Sequence, residues 1–132
     1  MHPLDHLNRN VSNVDSFIAF YSDTLGYRLL AKGIKANGKP YAILQGYGHE
    51  LFISEKDGFA ADGESNFRHI GYTVEDADAL LAEMKQKGLV SPDKEIIVKR
   101  FSRQFYIRDP DGFELDMIQW TDKPGFYQLL KE

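Results

Sequence analysis

The side chains best suited to chemistry in this sequence are histidines and carboxylates that recur at similar spacing in its two halves. The interval from His6 to Glu50 is almost the same as the interval from His69 to Asp116. Imidazole nitrogens and carboxylate oxygens are ligands for Ni, Co, Mn, Fe and Zn ions, and a carboxylate beside such an ion also serves as a base. Because the chain has no cysteine, a metal ion must bind His, Asp or Glu. A divalent metal ion is therefore the predicted cofactor, provided that the fold brings these residues together.

The last carboxylate of this set has a rival two residues earlier, in the stretch DGFELDMIQW. Glu114 and Asp116 lie two apart in a predicted strand, so their side chains leave the same face. Without a partner in a partly dry cleft, each carboxylate would cost several kcal/mol or be driven neutral, and a cation removes that cost. At least one of the two is thus predicted to bind metal, and the strand pattern alone does not decide which.

The elements that must position these residues occur twice along the chain. The stretch DHLNRNVSNVDSFIAFY (5–21) matches RHIGYTVEDADALLAEM (68–84) at a constant offset. Each copy has the pattern of a short alternating strand followed by a helix, which indicates duplication. The residues that are identical in the two copies are His6 and His69, Val11 and Val74, Asp15 and Asp78, and Ala19 and Ala82.

Each predicted helix has a polar residue that can cap its start and a glycine that can close its end. Three strands are predicted to follow each helix, so each half forms a βαβββ module. The helix signals are Ser12 or Asn13 with Gly26 in the first half, and Glu75 or Asp76 with Gly88 in the second. The strands after the helices are 27–34, 41–46 and 49–54 in the first half, and about 95–101, 103–108 and 113–120 in the second.

The predicted fold class is α+β, with the two βαβββ modules forming a curved eight-strand mixed sheet and helices on its convex side. At 132 residues the chain is expected to form one domain with a core of its own. Its predicted parts are module 1 at about 4–54, a linker at 55–66, module 2 at about 67–121 and a C-terminal tail at 122–132.

Alternation along the strands predicts which side chains face the helices and which face the concave side of the sheet. The helices need apolar contacts, and Leu7 and Val11 supply them in the first strand, so His6, Asn8 and Asn10 face the other way. A pseudo-twofold axis would then bring one histidine and one carboxylate from each module together. The residues that this alternation places on the concave side are His6, Glu50, His69 and Asp116.

Charge and composition argue against several classes of protein. The net charge of −4 gives no electrostatic reason to expect a nucleic acid partner. No run of about 18 apolar residues occurs, which argues against a membrane span. The first ten residues lack the basic and apolar regions of a signal peptide. Together with the lack of cysteine, these features favour a cytoplasmic location.

Three stretches resemble the vicinal oxygen chelate superfamily, which includes glyoxalases, bleomycin-resistance proteins and extradiol dioxygenases. They are LDHLNRNVSNVDSFIAFYSDTLGYRLL, RHIGYTVED and RQFYIRDPDGFELDMIQW, and the resemblance covers nearly the whole chain. The sequence is most similar to metal-dependent bacterial glyoxalase I-like proteins. Their metal-ligand positions fall on His6, Glu50, His69 and Asp116, the last lying seven residues after the first Asp of the DPDG turn.

This resemblance implies a metal-dependent lyase or isomerase that acts on a small substrate with vicinal oxygens. The metal ion would stabilise an enediolate, and Glu50 and Asp116 would act as the catalytic proton carriers. The family's final ligand is Glu, so Asp116 is one methylene shorter than the pattern. Asn10 and Ser54 stand where the family contacts glutathione with other side chains, which leaves the use of glutathione open. The resemblance also implies a homodimer.

Two alternative functions remain open in the same family. With Fe(II), His6, His69 and one carboxylate would instead bind a catechol and dioxygen, as in extradiol-type dioxygenases. The other alternative is a metal-free protein that sequesters a drug or metabolite, like bleomycin-resistance proteins. A sequestering protein has no need for two histidines and two carboxylates, so the enzyme is the favoured interpretation.

The remaining candidates have positional or ordinary surface roles beside a functional one. The DPDG sequence has the pattern of a type I turn and is expected to position its neighbours rather than to react. Arg103 would either bind an anionic substrate group or form a surface ion pair. The residues predicted to line the pocket are Asn8, Asn10, Phe52, Tyr106 and Trp120.

Overall fold

The protein consists of two compact units, each with its own four-stranded mixed sheet. The computed structural model describes residue 1, residues 3–61 and residues 67–131. Part of the predicted linker at 55–66 therefore lies outside the described residues, and Glu55 at its start belongs to a strand. The two βαβββ modules confirm the predicted α+β class.

Unit 1 comprises Met1–Glu64 and the short segment Asp109–Phe113. Its sheet has the strand order β1-β4-β3-β2, in which β1 and β4 run parallel and the other neighbours are antiparallel. The elements are β1 (His6–Val11), α1 (Val14–Leu25), β2 (Arg28–Ile34), β3 (Pro40–Gln45) and β4 (Glu50–Glu55).

Alternation along β4 places Leu51 and Ile53 on the side of the sheet that packs against α1. Leu51 and Ile53 are buried there, and Phe17 and Tyr21 of the helix are fully buried. Because neighbouring side chains leave opposite faces of a strand, Glu50 lies on the other face of the sheet. The predicted assignment of faces in this module therefore agrees with the observed burial.

Unit 2 comprises Ser65–Arg108 and Glu114–Glu132 and repeats the same order of elements. Its sheet has the order β5-β8-β7-β6, again with a parallel pair formed by the first and last strands of the module. Its elements are β5 (Ile70–Thr73), α2 (Ala77–Gln86), β6 (Ile97–Val98), β7 (Ser102–Arg108), β8 (Glu114–Trp120) and α3 (Lys123–Leu130).

Unit 2 differs from the sequence prediction in two elements. The strand predicted over 95–101 is reduced to Ile97–Val98, because Lys99–Ser102 forms a turn closed by a backbone hydrogen bond of 2.9 Å. The segment predicted as a tail forms α3, whose start is capped by the side chain of Asp122. A proline in the first turn suits this position, since its missing N–H would have no helical partner there.

The duplication is also visible in the way the two main helices begin. Asn13 caps α1 by accepting a hydrogen bond from Ser16 N, and Asp76 caps α2 by accepting one from Ala79 N. Gly26 follows α1 with a φ of 76°, a left-handed conformation that glycine adopts without strain. None of the helices in the described ranges is long and apolar enough to cross a membrane.

Candidate metal and substrate site

The first predicted donor pair lies on the two parallel strands of unit 1. His6 opens β1 and is the direct register partner of Glu50, which opens β4. Partners in a parallel pair project from the same face of the sheet, so the imidazole and the carboxylate share one face. The register of β1 against β4 is held by the buried apolar residues on the opposite face.

Two neighbours fix the orientation of the His6 ring. Its Nδ1 lies 2.7 Å from a carboxylate oxygen of Asp5, and its ring stacks on Phe52 with 4.5 Å between the ring centres. The ring is still partly exposed. Metal-bound histidines usually have one ring nitrogen held by a carboxylate while the other nitrogen binds the ion. The contacts of His6 fit that pattern, with Nε2 as the nitrogen available to a ligand.

The equivalent strands of unit 2 carry both rival carboxylates on the face of His69. His69 immediately precedes β5, and the pairing of Ile70 with Leu115 makes Glu114 its register neighbour. The distance from His69 Nδ1 to Glu114 Oε1 is 3.8 Å. Asp116 lies two residues further along the same face and pairs with Gly71. By register, Glu114 is the counterpart of Glu50, while Asp116 is the position that the family resemblance implies.

Asp116 is the most buried of these candidate ligands, with 7% of its surface exposed. The side-chain amide of Gln104 donates to both of its carboxylate oxygens, each at 3.1 Å. Burial raises the pKa of Asp116, against the lowering effects of His69 and of the Gln104 amide. The carboxyl group is thus held in a fixed orientation and is more readily protonated than an exposed aspartate.

A row of polar side chains on β7 forms the support of Asp116. Ser102 donates to Gln104 Oε1 at 3.2 Å, and Gln104 also donates to the Tyr106 hydroxyl at 3.1 Å. The ring of Tyr106 meets His69 edge to face, with 5.7 Å between ring centres. Sequence analysis selected Tyr106 but missed Gln104 and Ser102. The signal was present, because serine, glutamine and tyrosine alternate along SRQFY and therefore share one face.

A cavity of about 580 Å³ opens over this face of unit 2. That volume lies in the range of small-molecule sites, which are usually apolar with a few polar groups. Tyr106 and Trp120, both predicted to line a pocket, do so, and α3 supplies an apolar wall that the sequence prediction lacked. The residues that line the cavity include His69, Gln104, Tyr106, Asp116, Trp120 and Phe126.

The DPDG turn has a structural role in unit 1. Gly112 N donates to Asp109 O at 2.9 Å, which closes the turn. The buried carboxylate of Asp109 accepts hydrogen bonds from Tyr21 at 2.9 Å and from Arg9 at 3.1 Å. Ser12 bonds to Asp111 through both its backbone N–H and its hydroxyl group. The expectation that this turn positions its neighbours is consistent with these contacts.

Arg103 forms an ion pair at the surface. Its guanidinium donates two hydrogen bonds of 2.8 Å to the carboxylate of Asp78. The hydrogen bonds from Arg103 and its positive charge lower the pKa of Asp78. Of the two roles expected for Arg103, the surface pair is therefore the observed one.

No group of three or more His, Asp and Glu side chains in the described part of the chain is arranged to hold a metal ion. The two donor pairs belong to different units, His6 and Glu50 to unit 1 and His69 and Asp116 to unit 2. The four-residue ligand set and the choice between Asp116 and Glu114 therefore stay predictions. Within each unit, the nitrogen and oxygen donors fit a divalent cation.

Duplicated βαβββ units with an imidazole and a carboxylate on one sheet face define a class of small α+β proteins. The family model described as the Glyoxalase/Bleomycin resistance protein/Dioxygenase superfamily matches residues 3–117. The chain belongs to this superfamily, as the resemblance of its sequence indicated.

Individual relatives are similar to the chain along most of its length but at low identity. "Metallothiol transferase FosB" from Lysinibacillus sphaericus is 28% identical, over 97% of this chain and 91% of the relative. "Probable lactoylglutathione lyase" from Synechocystis sp. is 27% identical, over 89% of this chain and 95% of the relative. A solved structure of the fosfomycin resistance protein FosX from Listeria monocytogenes, in complex with Mn(II) and sulfate, has a TM-score of 0.68 at 15% identity. It covers 90% of this chain and 93% of its own.

Proposed function

We propose that the protein is a metal-dependent enzyme of the glyoxalase type, a lyase or isomerase that acts on a small substrate with vicinal oxygens. The observation that carries the proposal is the arrangement of an imidazole with a carboxylate on one sheet face in both units. Two of the relatives support it, because one is named a metallothiol transferase and the other a probable lactoylglutathione lyase. A location in the cytoplasm is part of the same proposal.

The proposed ligands are His6 and Glu50 from unit 1 and His69 and Asp116 from unit 2. Two contacts support this choice over Glu114. Asp5 holds Nδ1 of His6 at 2.7 Å, and Glu114 lies near Nδ1 of His69 at 3.8 Å. Each histidine thus has an orienting carboxylate beside it, which leaves the other carboxylate of each unit as the ligand. The metal in the FosX structure is Mn(II), which is one of the ions that such donors bind.

A bound divalent cation would supply Lewis acidity toward the adjacent oxygens of the substrate. The protein's own contribution to the chemistry is proton transfer by Glu50 and Asp116. Asp116 suits this role because burial raises its pKa, which makes its carboxylate a better proton acceptor near neutral pH. Gln104 holds both carboxylate oxygens and thereby fixes the direction in which Asp116 accepts the proton.

Metal analysis of protein purified without an affinity tag tests the proposal. We expect wild type to bind a divalent ion and His6→Ala or His69→Ala to lower its affinity at least about tenfold, since a lost ligand costs no less than a lost orienting group. Asp116→Asn should have a similar effect, and Glu114→Gln a smaller one. His49→Gln is the matched control, because His49 accepts its hydrogen bond from Tyr27 and is not a proposed ligand.

Activity measurements distinguish the enzyme alternatives. With Ni, Co, Mn or Zn restored, we expect turnover of a methylglyoxal–thiol adduct and no cleavage of catechols. Catechol cleavage only with Fe(II) would favour the extradiol-type dioxygenase. Equal and negligible metal in wild type and both histidine variants would contradict an enzyme of either kind and favour a metal-free binding protein.

A further inference from the structure

The cavity of unit 2 has two unlike walls on the side away from His69. One wall is the Lys99–Ser102 turn, whose two cationic side chains line the cavity. The other is α3 with Trp120, and it is apolar. A cavity that combines cations with aromatic rings favours a particular kind of molecule, one with an anionic end and an apolar body.

The two cations of the turn are available to a ligand. Lys99 and Arg100 are exposed, and neither forms an ion pair with a carboxylate within the described ranges. The guanidinium of Arg100 lies over the ring of Phe101 at 4.9 Å, which limits where the charge can point. The turn itself is fixed by the hydrogen bond from Lys99 N to Ser102 O at 2.9 Å. The positive charge is therefore on a rigid support and not on a mobile loop.

The apolar wall is also fixed by contacts between rings. Phe126 of α3 lies 5.1 Å from Trp120 and 6.2 Å from Phe101, measured between ring centres. Tyr127 lines the same cavity, yet 51% of its surface is exposed. Exposed aromatic surface beside a cavity has a hydration cost that an apolar ligand would remove. None of the catalytic roles proposed above uses α3, Lys99 or Arg100.

We propose that this cavity binds an organic anion, with its acidic group at Lys99 and Arg100 and its apolar body against Trp120 and Phe126. The inference deepens the proposed function, on which it rests, by naming the chemical class of the substrate. Arginine and lysine bind carboxylates and phosphonates alike, so the shared chemistry is that of a mono- or dianionic oxygen acid. The vicinal oxygens of a substrate bound in this way would lie in the part of the cavity lined by His69 and Asp116.

Binding can be followed without metal and without turnover because Trp120 is the only tryptophan in the chain and lines the cavity. The probe molecules are 4-phenylbutyrate, its phosphonate analogue 3-phenylpropylphosphonate, the neutral 4-phenyl-1-butanol, and butyrate, which lacks the ring. In metal-free wild type we expect quenching of Trp120 fluorescence by both aryl anions. The affinity for 4-phenylbutyrate should exceed that for the alcohol and for butyrate about tenfold each.

Variants of the cationic turn and of α3 then distinguish how much each wall contributes to binding. Lys99→Gln and Arg100→Gln should each lower the affinity for 4-phenylbutyrate about fivefold, which is the upper end for a partly exposed ion pair. Neither variant should change the affinity for the alcohol. Lys35→Gln is the matched control, because it removes the same charge from an exposed lysine that does not line the cavity. Phe126→Ala should lower the affinities for the acid and for the alcohol by the same factor. Circular dichroism of this variant checks that the fold is kept.

Equal affinities of wild type for 4-phenylbutyrate and the alcohol would overturn the inference, as would equal losses in Lys35→Gln and Lys99→Gln. Absence of quenching by every probe would also overturn it. A preference between the carboxylate and the phosphonate would identify the acid group. These outcomes are separate from those of the proposed function: selective binding without metal uptake contradicts only the enzyme, and metal-dependent turnover without anion selectivity contradicts only the anion site.

Discussion

At the scale of single residues, Asp116 is a buried carboxylate whose neighbours on β7 and β8 determine both its orientation and its tendency to be protonated. The strand and the sheet face of Asp116 were predicted from the alternation of polar and apolar residues, in which Leu115 and Met117 occupy the apolar face. Alternation along SRQFY also indicates the face of Gln104, but it does not show that the amide of Gln104 donates to the carboxylate of Asp116. The choice between Asp116 and Glu114 depends on the approach of one side chain to His69, which residue spacing does not encode.

The raised pKa of Asp116 predicts how stability depends on pH in metal-free protein. Burial disfavours the charged carboxyl in the folded state, so its cost to stability is absent below the unfolded pKa, grows as the pH rises above that value, and is complete above the folded pKa. Asp116→Asn should therefore be more stable than wild type at pH 8, and this advantage should disappear towards acidic pH. Thermal unfolding with a chelator present, at several pH values, measures it.

Glu114→Gln serves as the control for that experiment, because it removes a carboxylate from the same strand at a more exposed position. An advantage of Asp116→Asn that stayed constant from acidic to basic pH would contradict the assigned origin of the shift. So would a variant that is less stable than wild type across the whole range.

At the scale of elements, the predictions succeeded where apolar periodicity was long and ended in a capping residue. α1 and α2 begin after Asn13 and Asp76, each of which was one of two predicted caps. α3 was missed because KPGFYQLL is short and contains both proline and glycine. Its capping signal, Asp122, becomes apparent only once the side chain is seen to accept from Gly125 N. The strand before β7 was predicted too long, because the backbone hydrogen bond from Lys99 N to Ser102 O closes a turn directly after Val98.

The hydrogen-bonded group of Arg9, Tyr21 and Asp109 is predicted to be a main source of stability in unit 1. Asp109→Ala should lower the free energy of unfolding by about 3–5 kcal/mol, because it leaves the largely buried charge of Arg9 without its partner. Tyr21→Phe removes one hydroxyl group and should cost about 1–2 kcal/mol. Urea unfolding of each variant measures both values.

The exposed pair of Arg103 with Asp78 provides the comparison for that prediction, since it also joins an arginine to an aspartate. Asp78→Ala should destabilise the protein much less than Asp109→Ala, because water screens and replaces the exposed pair. If the two variants lost equal stability, burial would not be the reason for the importance of Asp109.

At the scale of the whole molecule, duplication was the strongest signal in the sequence. The matched helices, caps and histidines predicted two βαβββ units, and both are present with the same strand order relative to their helices. The sequence prediction placed the DPDG turn in the second module, whereas its residues pack with unit 1. Contacts between side chains that are far apart in the chain, such as Arg9 and Asp109, leave no periodic trace in a sequence.

The assembly implied by the family resemblance leads to a prediction about mass. We expect the protein to be a homodimer at micromolar concentration and above, with twice the mass of the chain in sedimentation equilibrium. Dilution should shift the observed mass towards that of a single chain without unfolding it. A single-chain mass at every concentration, with native circular dichroism, would contradict the homodimer.

The inclusion of residues 109–113 in unit 1 has a consequence for the order in which the chain folds during synthesis. A ribosome releases Arg9 early, but the carboxylate that neutralises it is added about a hundred residues later. The amino-terminal half must therefore wait, incompletely assembled, until most of the polypeptide has left the exit tunnel, and closing so long a loop is slow. We expect nascent chains that end before residue 109 to be digested by protease, and chains extended by a carboxyl-terminal linker long enough to bring residues 109–113 out of the ribosome to resist.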